Sequence, residues 1–540
     1  MKKLLTCILV FIMILTVAAC QKAPGGSVNT GGTQKQTEQD KDTSTKPKEV
    51  PVITYWTELN ANTAQVVKNL GETEFAKVWQ EKAGVKIEFQ HPPAGQVDDA
   101  FSILVASGDY PDIIEYKWID YPGSPVSAIE NGVIIELSEV FEKYSPNLTA
   151  LFEKYPEIKK MIRTDEGHFY VYPFLRGYTE ENNALLFSEG AAIRKDLLDK
   201  LGMSIPETAS EWYAMLKGFK EQLNIEIPLT IRGTDDHLSR LLGPGFDSFD
   251  GFYVEDGVVK HGLIDATRLD YLTEARKWYE EGLLDSEFLV VDKNTQANKV
   301  LNGQVGATYA PGGSGMGTWI PALQETDPNI DFTSAPPMTP VKGRLAKFSK
   351  MNTIYGNSGP SAAISTACKN VEAAARVLDF MYGEEGHMLV NFGIEGVSYE
   401  MVNGTPTYTA VITDNPNGLS MTNAMSLYMR CHTNGAFVQD PRYIEQYYRL
   451  PQQQEALRMW TQTEMGKHLL PPVSATSAES EELAQIMNNV KIYSKEMESK
   501  FITGVEPLSK FDEYVNQLKA FGIERAIEIT QNCFDRYMKR

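Results

Sequence analysis

From Val50 onward the apolar positions switch between two periods, and the switches outline an α/β chain. Val52-Ile53-Thr54-Tyr55-Trp56 is a β-rich run. Residues 73–82 have helical spacing, with Phe75, Val78 and Trp79 on one side. Val85-Lys86-Ile87-Glu88-Phe89 alternates as a strand with one buried face does. Residues 98–107 predict a helix, and 112–115, after Pro111, a short buried strand. The order β-α-β-α-β points to a sheet with helices packed on its faces.

The alternation recurs downstream. Thr208 and Glu211 form a Thr-x-x-Glu capping box ahead of a helix that turns Trp212, Met215, Leu216 and Phe219 to one side. Residues 268–281 predict a helix stopped at Gly282. Residues 304–309 read as a strand and 371–382 as a helix. The tail reads as helical over 481–499 and 509–538. The glycine run Gly312 to Gly317 lacks the Lys-Ser/Thr ending of a phosphate loop and the spacing of a nucleophile elbow. It is expected to be a flexible cleft loop that lets a ligand approach the backbone.

The first residues change the picture. Lys2 and Lys3 precede a mostly apolar run from Leu4 to Thr16, and Val17-Ala18-Ala19 lead into Cys20. This describes a secretory signal peptide over residues 1–19, shorter than the ~20 apolar residues a spanning helix needs. The cysteine after small residues resembles the lipobox of bacterial lipoproteins, in which the thiol is acylated, for example with palmitate. The mature chain would then be lipid-anchored at the extracellular face of the membrane through Cys20. Residues 20–49 are almost devoid of apolar side chains and are expected to form a flexible leash reaching about 30 Å.

A formal net charge of -20 argues against nucleic acid as a partner. Cys368, Cys431 and Cys533, odd in number and far apart, are no disulfide framework; one bridge or three free thiols are both compatible with them. The seven histidines fall in no zinc-ligand spacing. No metal and no cofactor are expected.

Several segments together carry a family likeness. They are Ser107-Gly108-Asp109-Tyr110-Pro111-Asp112-Ile113-Ile114, Asn131-Gly132-Val133-Ile134-Ile135-Glu136-Leu137, and Ile193-Arg194-Lys195-Asp196-Leu197-Leu198-Asp199-Lys200-Leu201-Gly202. Trp278-Tyr279-Glu280-Glu281-Gly282-Leu283-Leu284-Asp285 and Phe392-Gly393-Ile394-Glu395-Gly396 follow in order. The chain resembles the extracellular solute-binding lipoproteins of ABC importers (family 1), most closely the large branch that includes alginate-binding proteins. The resemblance implies a bilobal, periplasmic-binding-protein-like α/β fold of type II, with a multi-strand hinge and a helical C-terminal region. Lobe one would hold 50–172 plus 349–409, and lobe two 173–348 plus 410–540. The branch often carries a calcium loop after the helix matching 212–220. Here Glu221-Gln222-Leu223-Asn224-Ile225-Glu226 lacks the alternating oxygen ligands, so no calcium is expected there.

A sugar offers flat apolar faces ringed by hydroxyls, suited to aromatic platforms and to charged or amide groups. Strand ends and loops nominate Trp56, Trp118, Arg176, Tyr178, Tyr309, Trp319, Glu395 and Phe437 as ligand contacts. The competing role is structural: a tryptophan in so large a chain is more often core, Arg176 suits an interlobe ion pair, and Glu395 a turn. The expected function is non-catalytic capture of a carbohydrate, an oligosaccharide, by a monomer that delivers it to ABC permease subunits. A binding protein for peptides or another solute is the alternative, and a surface glycosidase using two carboxylates a further one. With 71 acidic residues, some carboxylate pair will always look plausible.

Overall fold

A computed structural model describes residues 49–540 apart from 182, 357, 358 and 434. The signal segment, Cys20 and the leash up to residue 48 lie outside the described residues. Among the described residues no helix is long and apolar enough to cross a membrane.

Two four-stranded sheets organise the chain. The first has the order Ser361–Ile364, Ile113–Tyr116, Val52–Trp56, Lys86–Gln90. Its last three strands are parallel, and Ser361–Ile364 returns antiparallel from far along the sequence. The second has the order Ile227–Thr230, Val305–Pro311, Glu189–Arg194, Phe332–Thr333. Only its first pair is parallel.

Local sequence accounts for the helices on these sheets. Thr73 Oγ1 accepts the Ala76 N–H at 3.1 Å to start Glu74–Ala83, and Gly84, at φ 63°, ends it. The helix buries Phe75 and Trp79 against Tyr55 of the first sheet. In the second lobe Thr208 and Glu211 form the expected reciprocal box at the start of Ala209–Glu221. That helix buries Trp212, Met215, Leu216 and Phe219 at helical spacing.

Three stretches run side by side between the sheets. The Tyr172 and Ala362 backbones exchange hydrogen bonds, Leu175 N–H donates to Phe437 O at 2.9 Å, and Arg176 N–H donates to Ile354 O at 3.0 Å. These are the crossovers of a multi-strand hinge.

The segment 410–440, expected with lobe two, packs against the first sheet's side. Helix Met421–Tyr428 lies on Glu74–Ala83, and Arg430 reaches Glu115 in strand Ile113–Tyr116. The long helix Ser477–Thr503 touches both lobes. Ser480 Oγ donates to Gly123 O at 2.6 Å in the first, while its length packs on Thr267–Glu280 in the second. The last predicted helix is two, Phe511–Ala520 and Ile523–Lys539, parted at Gly522 with φ 98°.

The glycine run is not the flexible cleft loop expected. Gly312–Met316 forms one wide helical turn leading into helix Gly317–Gln324, and Gly312 and Gly313 are buried. The rings of Tyr448 and Tyr447 approach so closely that an added Cβ would lie 2.6 Å and 2.5 Å from them. Tyrosines, not a ligand, require these glycines. Cys368, Cys431 and Cys533 are all free thiols.

Candidate ligand cleft between the sheets

Both walls of the main cleft begin where parallel strands end, the position at which open α/β sheets bind ligands. After strand Ile113–Tyr116 the turn Trp118–Asp120 presents Ile119. After strand Ile227–Thr230 the turn Gly233–Asp235 and the short helix His237–Leu242 present Ser239 and Arg240. Residues 248–252, 348–351 and 469–473, with Pro244, Thr353, Tyr355, Gly356 and Met465, complete the lining of a cavity of about 390 Å³. Phe249, half-buried, stacks on Phe348 with centroids 5.1 Å apart, and Phe252 lies beyond it. Tyr355 fixes the opposite side through a 2.6 Å hydrogen bond between its hydroxyl and that of Tyr170.

Charge is set by a compact group behind the wall. Arg240 Nη1 donates to Glu189 Oε1 at 2.7 Å, and Arg232 and His237 stand 3.6 Å and 3.7 Å from Oε2 of the same carboxylate. Burial, reinforced by Arg232 and Arg240, holds the His237 imidazole down to about 2, so it is neutral. Glu189 therefore offsets the arginines, not the histidine. Lys350 faces the cleft from the crossover, and burial followed by Arg240 pushes its ammonium below the usual lysine range.

Ser239, Arg240, Asp250, Gly251 and Phe252 also line an adjoining chamber of about 560 Å³, closed on the far side by helix Ser477–Thr503. Its floor is rigid. Arg268 is buried and bidentate to Glu498, with Nε–Oε1 2.8 Å and Nη2–Oε2 2.6 Å. Arg268 Nη1 also donates to Ser239 Oγ at 3.0 Å, and the guanidinium sits 4.4 Å from the Tyr271 ring centre.

Residues 34–388 match the family model for bacterial extracellular solute-binding proteins. The chain belongs to that family. This solute-binding protein is 26 % identical over 357 residues to lipoprotein LipO of Bacillus subtilis (strain 168), 61 % of this chain and 65 % of LipO's length. It is 22 % identical over 462 residues to the fructooligosaccharide ABC transporter substrate-binding protein FusA of Streptococcus pneumoniae serotype 4 (strain ATCC BAA-334 / TIGR4), 80 % of this chain and 81 % of FusA. The crystal structure of alginate-binding protein AlgQ2 without calcium ion matches with a TM-score of 0.74 at 23 % identity, covering 91 % of this chain and 99 % of that one. The expected bilobal periplasmic-binding-protein-like fold is the fold of this solute-binding protein.

The eight nominated residues are spread through the molecule, and none lines the main cleft. Trp56 is buried 6.2 Å from Phe101, and Trp118 is buried with its indole N–H donating to Ile114 O at 3.1 Å. Arg176 lies in the hinge, donating to Gln439 Oε1 at 3.2 Å. Phe437, also in the hinge, packs edge-on to Phe174 at 5.2 Å. Tyr178 stacks on Tyr155 at 4.7 Å. Tyr309 is buried 4.8 Å from His237 and, with Glu189, Arg240 and Trp460, borders a small cavity of about 20 Å³ beside the cleft. Trp319 is buried in its helix and Glu395 is exposed.

Sequence reasoning passed over Arg240, Phe249, Asp250, Phe252 and Lys350. A usable signal existed. Gly243-Pro244-Gly245-Phe246-Asp247-Ser248-Phe249-Asp250-Gly251-Phe252 combines turn formers with aromatics, the composition of a binding loop on a rigid scaffold.

Proposed function

We propose that this protein is a non-catalytic receptor, held outside the cell by lipid on Cys20. It closes its lobes on an oligosaccharide and hands it to the permease subunits of an ABC importer. The observation that carries this reading is the cleft. Its two connected chambers, about 390 Å³ and 560 Å³, lie in the size range of ligand sites. The half-buried faces of Phe249 and Phe252 stand beside Ser239, Arg240 and Asp250, the mixture of platforms and polar groups a sugar needs. The names of FusA and AlgQ2, which give saccharides as their ligands, support the same class. Hinge closure between two lobes is the general way such a receptor signals occupancy.

Thermal unfolding of the chain from Gln21 onward, against neutral and acidic mono- and oligosaccharides and a set of peptides, tests the reading. A saccharide at a hundred times its Kd stabilises the native state by about 2.7 kcal/mol. Stabilisation by peptides alone, or release of new reducing ends from a bound saccharide, overturns it. Substitution of Cys20 by Ser is expected to release the chain from the cell envelope into the medium; retention would sink the lipid tether.

A further inference from the structure

Charge inside the cleft runs against charge on the molecule as a whole. The chain carries a formal net charge of -20, yet its two chambers hold lysines that no carboxylate among the described residues reaches at ion-pairing distance. Arg240 and Arg268 are satisfied by Glu189 and Glu498. Lys350 is not. It is half-buried in the wall of the first chamber, and among the described residues no carboxylate lies within ion-pairing distance of its ammonium. Arg240, a second cation, lines the same wall. An ammonium partly withdrawn from water and set beside a guanidinium is costly until an anion joins it.

The second chamber repeats the pattern at its far end. Lys491 and Lys495 stand one helical turn apart on Ser477–Thr503, both exposed and both without an ion-pair partner among the described residues. Three carboxylates line the same space, Glu498 held by Arg268, and Asp236 and Asp250. The two aspartates suit sugar hydroxyls, which can donate to a carboxylate, while the lysines call for a group that hydroxyls do not supply.

We propose that the ligand is an anionic oligosaccharide, with one acidic group, a uronate carboxylate or a sulfate ester, docked at Lys350 in the first chamber. Further acidic residues of the same saccharide extend past Asp250 into the second chamber toward Lys491 and Lys495. Two separated cationic stations favour an oligosaccharide over a monosaccharide, because one short ligand reaches one station only. This inference rests on the carbohydrate reading above and narrows it.

The test is titration calorimetry of the chain from Gln21 onward with galacturonate monomer, trimer and pentamer, sulfated maltopentaose, and neutral maltooligosaccharides of matching length. Acidic pentamers are expected to bind, more tightly than the monomer and more weakly as salt rises. Lys350→Gln is expected to weaken the acidic pentamer by about tenfold or more, the scale of a lost hydrogen bond to a charged group. Asp250→Asn is expected to tighten it, because a like charge leaves the cleft; this opposite sign guards against a variant that merely misfolds. Binding of the sulfated ligand alone keeps the anionic station and assigns it to sulfate esters. Neutral saccharides binding as well as acidic ones, or an acidic affinity indifferent to Lys350→Gln, overturns the inference and leaves the carbohydrate receptor standing. Failure of every saccharide to bind overturns both.

Discussion

Arg430 closes a bidentate ion pair on Glu115 across 315 positions of chain, with Nη2–Oε1 at 2.8 Å and Nη1–Oε2 at 3.2 Å. Both side chains are buried. Tyr55 and Thr57 add hydroxyl donors to the same carboxylate at 2.7 Å and 2.8 Å. The pair pins the loop after helix Met421–Tyr428 to the first sheet. Arg430→Met leaves Glu115 buried with no cation and should cost about 3–5 kcal/mol in chemical denaturation. Glu115→Gln combined with Arg430→Met should recover part of that loss. An unchanged midpoint for Arg430→Met alone would refute the account.

Acid should destabilise the protein through histidines that are buried neutral. Burial lowers His237 to about 2, His261 and His432 to about 4, and His91 as well, from an ordinary 6.5. The unfolded chain therefore binds protons that the folded one refuses. The stability these neutral rings contribute is fully present above pH 6.5 and is lost as pH falls toward 4. His432→Gln should flatten the fall in melting temperature across that window. A melting temperature constant between the two limits would contradict it.

Phe249 has one face on Phe348 and lines the cleft. Replacement by Ala removes the platform while Phe348 remains buried in its own cluster. Affinity for the saccharide found by thermal unfolding should fall about tenfold, the scale of one aromatic contact. Calorimetric Kd values for Phe249→Ala and Phe252→Ala decide this. Wild-type affinity in both variants would place the ligand elsewhere.

Gly312 and Gly313 face tyrosine rings at distances no Cβ tolerates. Gly313→Ala should destabilise by about 1–3 kcal/mol through overpacking against Tyr447. Urea unfolding of Gly313→Ala, with Gly303→Ala for comparison, separates crowding from backbone effects, since Gly303 has open space but φ 73°. Equal loss in the two variants would count against ring contact as the reason for the glycine.

Local rules made most of the fold legible. Thr208 and Glu211 declare a helix start within four residues, and the apolar spacing of Phe75 and Trp79 is a local record of a buried face. The C-terminal break at Gly522 was missed because apolar spacing continues on both sides of one glycine. The cleft was harder to read for a different reason. Aromatic side chains nominate themselves equally for cores and for platforms, and here Trp118 spends its indole N–H on Ile114 O. What makes Lys350 notable is that no carboxylate among the described residues reaches ion-pairing distance of it, Glu189 and Asp250 acting only from farther off, and those neighbours are assembled from distant stretches. Arg430 and Glu115 are likewise invisible as a pair in sequence.

The 27-residue helix Ser477–Thr503 is a rod of about 40 Å. It is hooked to one lobe through Ser477–Glu130 and Ser480–Gly123 and bolted to the other through Glu498–Arg268, and Arg268 also holds the cleft residue Ser239. A rod fixed at both ends cannot stay still when the bodies it joins rotate: it slides or bends. Any change in the width of the mouth would therefore have to register along this helix, on the side of the protein away from the cleft opening it spans.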